Sequence, residues 1–172
     1  MNRFFTDSEK YRAFKVYWKA YGGLQALLLS PYLSLSFIIS FVLWPVWWRI
    51  GENSLYDWTD LSLSIVPTIS GFTLGAISIL LAVSGRTFLL LAHKERKPAS
   101  YYLQLMATFF HAVIVQFLAI FLSLLLLAYP GAFLSWLAFF SFCYAIACAL
   151  AAAASIFGAA QILDVSRRID NQ

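Results

Sequence analysis

The sequence predicts an all-α integral membrane protein. It has four transmembrane helices behind an N-terminal amphipathic helix, and the helices extend into a short cytoplasmic neck. Three observations carry this. Of 172 residues, 62% are hydrophobic and 12% charged, against about 45–50% and about 25% in an ordinary soluble domain. The apolar residues fall in runs long enough to cross a bilayer core, which takes about 20 residues of helix. The lysines and arginines lie almost all to one side of those runs. A soluble monomer is excluded because too little polar surface is available to cover it. Disorder is excluded because it needs low hydrophobicity and high charge.

Residues 24–48, 61–84, 106–128 and 133–154 are the four expected spans, and none contains Asp, Glu, Lys or Arg. Runs such as FLAIFLSLLLLA lack the alternation of a barrel strand. Lipid offers the backbone no hydrogen-bond partners, which leaves the helix. The whole chain, 1–172, reads as one membrane domain, with 1–23 interfacial and 155–172 a cytoplasmic helical extension and tail. The first run is retained rather than cleaved, since it exceeds a signal-peptide core and no small-x-small site follows. Pro31 should kink or restart that helix with Ser30 as cap, and Pro45 should distort its outer end.

Basic residues set the orientation. Lys10, Arg12, Lys15 and Lys19 precede the first span, with Arg3. Arg86, Lys94, Arg96 and Lys97 lie between the second and third, and Arg167 and Arg168 follow the fourth. Only Arg49 falls on the other side, so eleven of the twelve basic residues share one face of the membrane. Both termini are expected in the cytoplasm, in a multi-pass protein of the inner membrane. The basic groups flank spans, so they mark contact with the anionic inner leaflet or a cytosolic partner rather than nucleic acid.

Residues 8–21 place Tyr11, Phe14, Trp18 and Tyr21 at helical spacing, with the basic residues on other faces. Asp7 or Ser8 is the expected N-cap. Such a helix lies in the interface, and Gly22-Gly23 is the hinge into the first span. At the other end of the bilayer, Tyr129-Pro130-Gly131 is a tight hairpin. The second and fourth apolar segments continue beyond the bilayer, through TFLLLAHK and SIFGAAQILDV. That is the basis for the neck, with the N-terminal helix available to cover it.

Ser64, Thr68, Gly71, Gly75, Ser78 and Ala82 form one seam of small residues on the second span, with the close-approach motif Gly71-x-x-x-Gly75 inside it. The seam reads first as helix packing, within or between subunits, and second as a narrow pore wall. Pro67 beside it is a kink or hinge. The alanine-rich fourth span is expected to be central. The bulky third span is expected to face lipid, although His111 and Gln116 lie within it and polar groups in lipid pair or line water. A hydrogen-bonded structural role for His111 is favoured over haem ligation. Cys143 and Cys148 point in different directions and form no local bridge.

No H-E-x-x-H, G-x-S-x-G or P-loop occurs, and no carboxylate lies in a span. Enzymatic activity, cofactors, metals and carboxylate-coupled transport therefore have no support. The functional expectation is a self-assembling homo-oligomer, a pore-forming or membrane-perturbing effector component. The alternative is a non-catalytic anchor that recruits a cytosolic partner. In size and topology the chain resembles the small four-span membrane components of bacterial antiviral defence systems, a resemblance that implies membrane-effector action.

Overall fold

The computed structural model describes residues 7–49, 57–94 and 98–170, and within them the side chains of 11, 12, 14–49, 57–82 and 103–158. Among the described residues there are seven helices and no strand. They are α1 (Asp7–Tyr21), α2 (Gly23–Leu28), α3 (Pro31–Val42), α4 (Trp44–Trp48), α5 (Trp58–Lys94), α6 (Pro98–Ala128) and α7 (Ala132–Asp170).

Three stretches are long and apolar enough to cross a membrane: Trp58–Ala82 of α5, Leu103–Ala128 of α6 and Ala132–Gly158 of α7. The chain is therefore a multi-pass, all-α membrane protein with three helices of spanning length among the described residues. The first expected span, 24–48, is not one helix. It breaks at Ser30, where Pro31 takes the first position of α3 with Ser30 in an extended conformation before it, and again at Leu43 ahead of Pro45. The longest piece, α3, has 12 residues, about 18 Å of rise against a 30 Å core. Proline is favoured in the first helical turn and removes a hydrogen bond anywhere later. A run carrying two prolines becomes consecutive short helices.

The overrun of the second and fourth segments is real. α5 has 37 residues and α7 has 39, about 55 and 58 Å of helix. α5 passes through Pro67 without interruption. The side chains of the neck, Arg86 and Lys94 included, lie outside the described residues, as do Arg96 and Lys97 altogether. Among the described residues the N-terminal helix packs mainly on α6.

α6 corrects the sequence reading most. Expected at the lipid, it is the centre of the bundle, touching α5, α7 and α1. Its bulk is segregated by face. Phe110, Ile114, Phe117, Leu118, Phe121 and Leu124 are exposed, whereas Leu105, Phe109, Ala112, Ala119, Ser123 and Leu126 are buried. Averaged along the helix it looks bulky; its inward face is where Ala107, Ala112, Ala119 and Ser123 gather. α7 is central as expected, closed onto α6 by the uncapped turn at 129–131, where Tyr129 N–H donates to Leu125 and Ser135 N–H to Gly131. The aromatic wedge Trp58, Phe139 and Phe142 packs at the end of the bundle near the 129–131 turn, with Trp58 edge-on to Phe139 at 5.1 Å.

The central position of α6 has a measurable consequence. Ala112→Leu and Ala119→Leu put bulk where exposure is 0%, and each should cost about 1–3 kcal/mol through overpacking. Phe117→Ala on the exposed face should stay within about 0.5 kcal/mol. Thermal unfolding in detergent ranks the three, and the reverse order would return α6 to the periphery.

Candidate functional site

A membrane interior supplies no water to buried polar groups, so each must find a protein partner. His111, Gln116 and Ser123 sit on the inward face of α6, and each finds its partner on another helix. His111 Nδ1 lies 2.8 Å from the Tyr17 hydroxyl of α1, and its Nε2 lies 3.0 Å from the Tyr144 hydroxyl of α7. In a neutral ring one tyrosine donates and the other accepts. The Tyr21 ring stacks on the imidazole at 4.1 Å, and Tyr17 meets Phe110 edge-on at 5.0 Å. Gln116 Nε2 donates to Thr73 Oγ1 at 3.1 Å, and Ser123 and Ser62 share a hydrogen bond at 3.0 Å. The hydroxyl of Thr73 is itself spent on the Ile69 carbonyl. Gln116 Oε1 is buried without a partner.

The structural role expected of His111 is the one the geometry provides. With both ring nitrogens engaged by phenols, His111 holds α1, α6 and α7 together. The expected stripe of Tyr11, Phe14, Trp18 and Tyr21 only partly describes how α1 docks. Tyr17, which periodicity passed over, is the buried residue, while Tyr11 and Phe14 remain exposed. A phenol next to the stripe and a lone histidine in an apolar span were the available signals. Nothing local connects them. Cys143 and Cys148 are free thiols.

At the opposite end, Ser135 on α7 joins two elements. Its hydroxyl donates to the Trp47 carbonyl at 2.6 Å and accepts from Trp58 Nε1 at 3.4 Å. Trp47 Nε1 in turn donates to the Ser40 carbonyl at 2.7 Å. α4 is thereby fastened near the 129–131 turn, while α1 is fastened at His111, about 25 Å away along α6 at 1.5 Å per residue.

The small-residue seam is placed with clarity. Ser62, Val66, Ser70 and Thr73 turn α5 inward and are buried. Ser64, Thr68, Gly71, Gly75, Ser78 and Ala82 are all exposed, about half a helical turn away. Packing within the monomer is thus not what the seam does. A Cβ added at Gly71 or Gly75 meets nothing within 4 Å. The hydroxyls are satisfied on their own helix, Thr68 by the Ser64 carbonyl and Ser78 by the Leu74 carbonyl, both at 3.0 Å. Pro67, on the same side, is exposed as well.

The basic residues of α1 divide into described and undescribed. Arg12, Lys15 and Lys19 are exposed, and the Lys10 side chain lies outside the described residues. No group of three or more potential metal ligands occurs among the described residues. No family model matches the chain, and no curated protein or solved structure shows significant similarity to it.

Tyr17→Phe leaves His111 Nδ1 buried and unpaired, which should cost about 1–3 kcal/mol of α1 docking. Tyr21→Phe keeps the ring stack and should cost less. Trypsin cutting after Lys15 and Lys19 reads the release of α1, and equal rates for the two variants would remove the Tyr17–His111 bond from the account.

Docking should also depend on alkaline pH. Burial, followed by the neighbouring Tyr21 and Cys148, pushes the Tyr17 hydroxyl up from 10.0 to about 12, and burial raises Tyr21 too. Undocked α1 then releases the Tyr17 proton near pH 10 and docked α1 near pH 12. The stabilisation from burying the neutral phenol is complete below pH 10 and is lost as pH rises to about 12. Tyrosinate absorbance followed across that interval should lose its late component in Tyr17→Phe.

Proposed function

We propose that this protein is a self-assembling membrane protein whose copies associate through the outward face of α5, and that the assembly forms or perturbs a pore in the inner membrane. The single observation that supports this is the direction of the seam. Six small residues lie on the side of α5 turned away from α6, with their hydroxyls already satisfied and with open space above both glycines. Small residues help membrane helices associate because they allow backbones to approach. On a helix surrounded only by lipid they would forgo that contact.

In this reading α2, α3 and α4 together complete a fourth crossing, from α1 at His111 to Trp47 at Ser135, and both termini face the cytoplasm. The basic bias of the sequence supports that orientation. The resemblance to four-span defence components needs this broken crossing to count as a span. A second reading, an anchor that recruits a cytosolic partner, draws on the exposed Tyr11 and Phe14 of α1.

The test uses cysteine cross-linking in membranes, after Cys143→Ala and Cys148→Ala remove the native thiols. Single cysteines at Ser64 or Ser78 should form disulfide-linked dimers, and one at the inward Thr73 should not. Gly71→Leu with Gly75→Leu should abolish those dimers while leaving the monomer's thermal stability unchanged, because nothing in the monomer occupies that space. Dimers that persist in the double leucine variant would refute assembly through α5. Ser64→Ala with Thr68→Ala keeps the seam small and removes its hydroxyls. It should alter conductance in planar bilayers if the seam lines a pore, and leave conductance unchanged if the seam only joins copies.

Orientation is tested separately. Reporters fused after Gln172 and within 52–56 should report opposite sides of the membrane, the first cytoplasmic.

A further inference from the structure

The elbow between α1 and α2 forms an open groove of about 600 Å³ lined by Phe14, Lys15, Trp18, Lys19, Gly22 and Gly23. This volume lies within the range of small-molecule sites, about 300–1,000 Å³. Its lining is divided by chemistry. Lys15 and Lys19 are neighbours one turn apart on α1, both exposed, and both line the groove. Phe14 and Trp18, stacked at 6.4 Å, present an aromatic wall.

The floor is kept open by the hinge. Gly22 and Gly23 have φ of 101° and 71°, where a side chain is strained, and a Cβ on Gly22 would come within 2.8 Å of the Ala26 Cβ. The Gly22 N–H is turned back onto the Lys19 carbonyl at 3.3 Å, so the positive character of the groove comes from the lysines and not from that backbone donor. Immediately beyond it, Leu24, Leu28 and Leu29 are exposed on and after α2. Cationic and aromatic side chains thus interleave on α1, and an apolar ledge follows on α2.

We infer that this elbow is a binding site for one anionic phospholipid, its headgroup phosphate held between Lys15 and Lys19 and its acyl chain laid along Trp18 and the α2 leucines. The lysines suit a phosphate, and the aromatic and leucine surfaces beside them suit acyl chains. A free phosphate would use the lysines and leave the aromatic and leucine surfaces without purpose. Lysine near a membrane surface is drawn to anionic headgroups, and tryptophan prefers that same depth. The inference rests on the inner-leaflet placement of α1 given above and adds a discrete site to a general attraction.

The test is native mass spectrometry of the detergent-solubilised full chain, titrated with phosphatidylglycerol, with phosphatidylcholine or with glycerol phosphate. One phosphatidylglycerol should be retained at least tenfold more strongly than phosphatidylcholine, and glycerol phosphate should not compete at equal concentration. Lys15→Gln with Lys19→Gln should abolish that preference. Arg12→Gln, which removes a charge of α1 outside the groove, should change retention less than twofold. Trp18→Ala should weaken the lipid without restoring binding of phosphatidylcholine.

Equal losses in Arg12→Gln and the double lysine variant would mean a diffuse basic surface and overturn the inference. Competition by glycerol phosphate would overturn the lipid in favour of a free anion. The measurement is made in detergent and requires neither assembly nor orientation, so its failure leaves the α5 interface to be judged by its own cross-links.

Discussion

Everything in this bundle depends on the rule that a polar group inside a membrane must be answered by another. α6 carries three such groups on its inward face, and their partners lie on α1, α5 and α7. Individually these bonds are modest, averaging about 0.6 kcal/mol where they have been measured between membrane helices. Their importance is in register. Apolar surfaces slide past one another at little cost in lipid, whereas a serine facing a serine and a glutamine facing a threonine fix rotation and depth together. α6 is the centre of the fold because it holds the polar residues that the other helices require.

The same rule explains where the sequence was legible. Helix, membrane and the overrun of α5 and α7 follow from composition and run length, which are local properties. The hairpin at Tyr129-Pro130-Gly131 and the restart at Pro31 follow from backbone chemistry, also local. The role of α6 was misread because FLAIFLSLLLLA was weighed as a run when its residues divide by face, Phe117 and Phe121 outward, Ala119 and Ser123 inward. Tyr17 was missed because its importance lies in His111, ninety-four residues away. The seam on α5 was visible as a pattern, but its direction was not, since nothing in Ser64-to-Ala82 spacing says which side α6 will take.

α5 and α7 show how two helices of similar length and apolarity come to opposite uses. α7 turns alanines and Ser135, Ser141 and Tyr144 toward its neighbours, and half of its most apolar 18-residue stretch is buried. The corresponding stretch of α5 is 17% buried, and beyond Trp58 and Thr59 the helix buries only a strip of Ser62, Val66, Ser70 and Thr73. It is held to the bundle along one edge. Most of its circumference is therefore left to lipid or to another chain, which is why the character of its outward face matters so much.

Ser135 has an effect on biogenesis. Trp47 and Trp58 precede in the chain the hydroxyl that engages both of them. Tyr17 waits in the same way for His111, and His111 for Tyr144. The amino-terminal half is thus made in a state that its own residues cannot complete. Its cross-helix hydrogen bonds are complete only once α6 and α7 have been made.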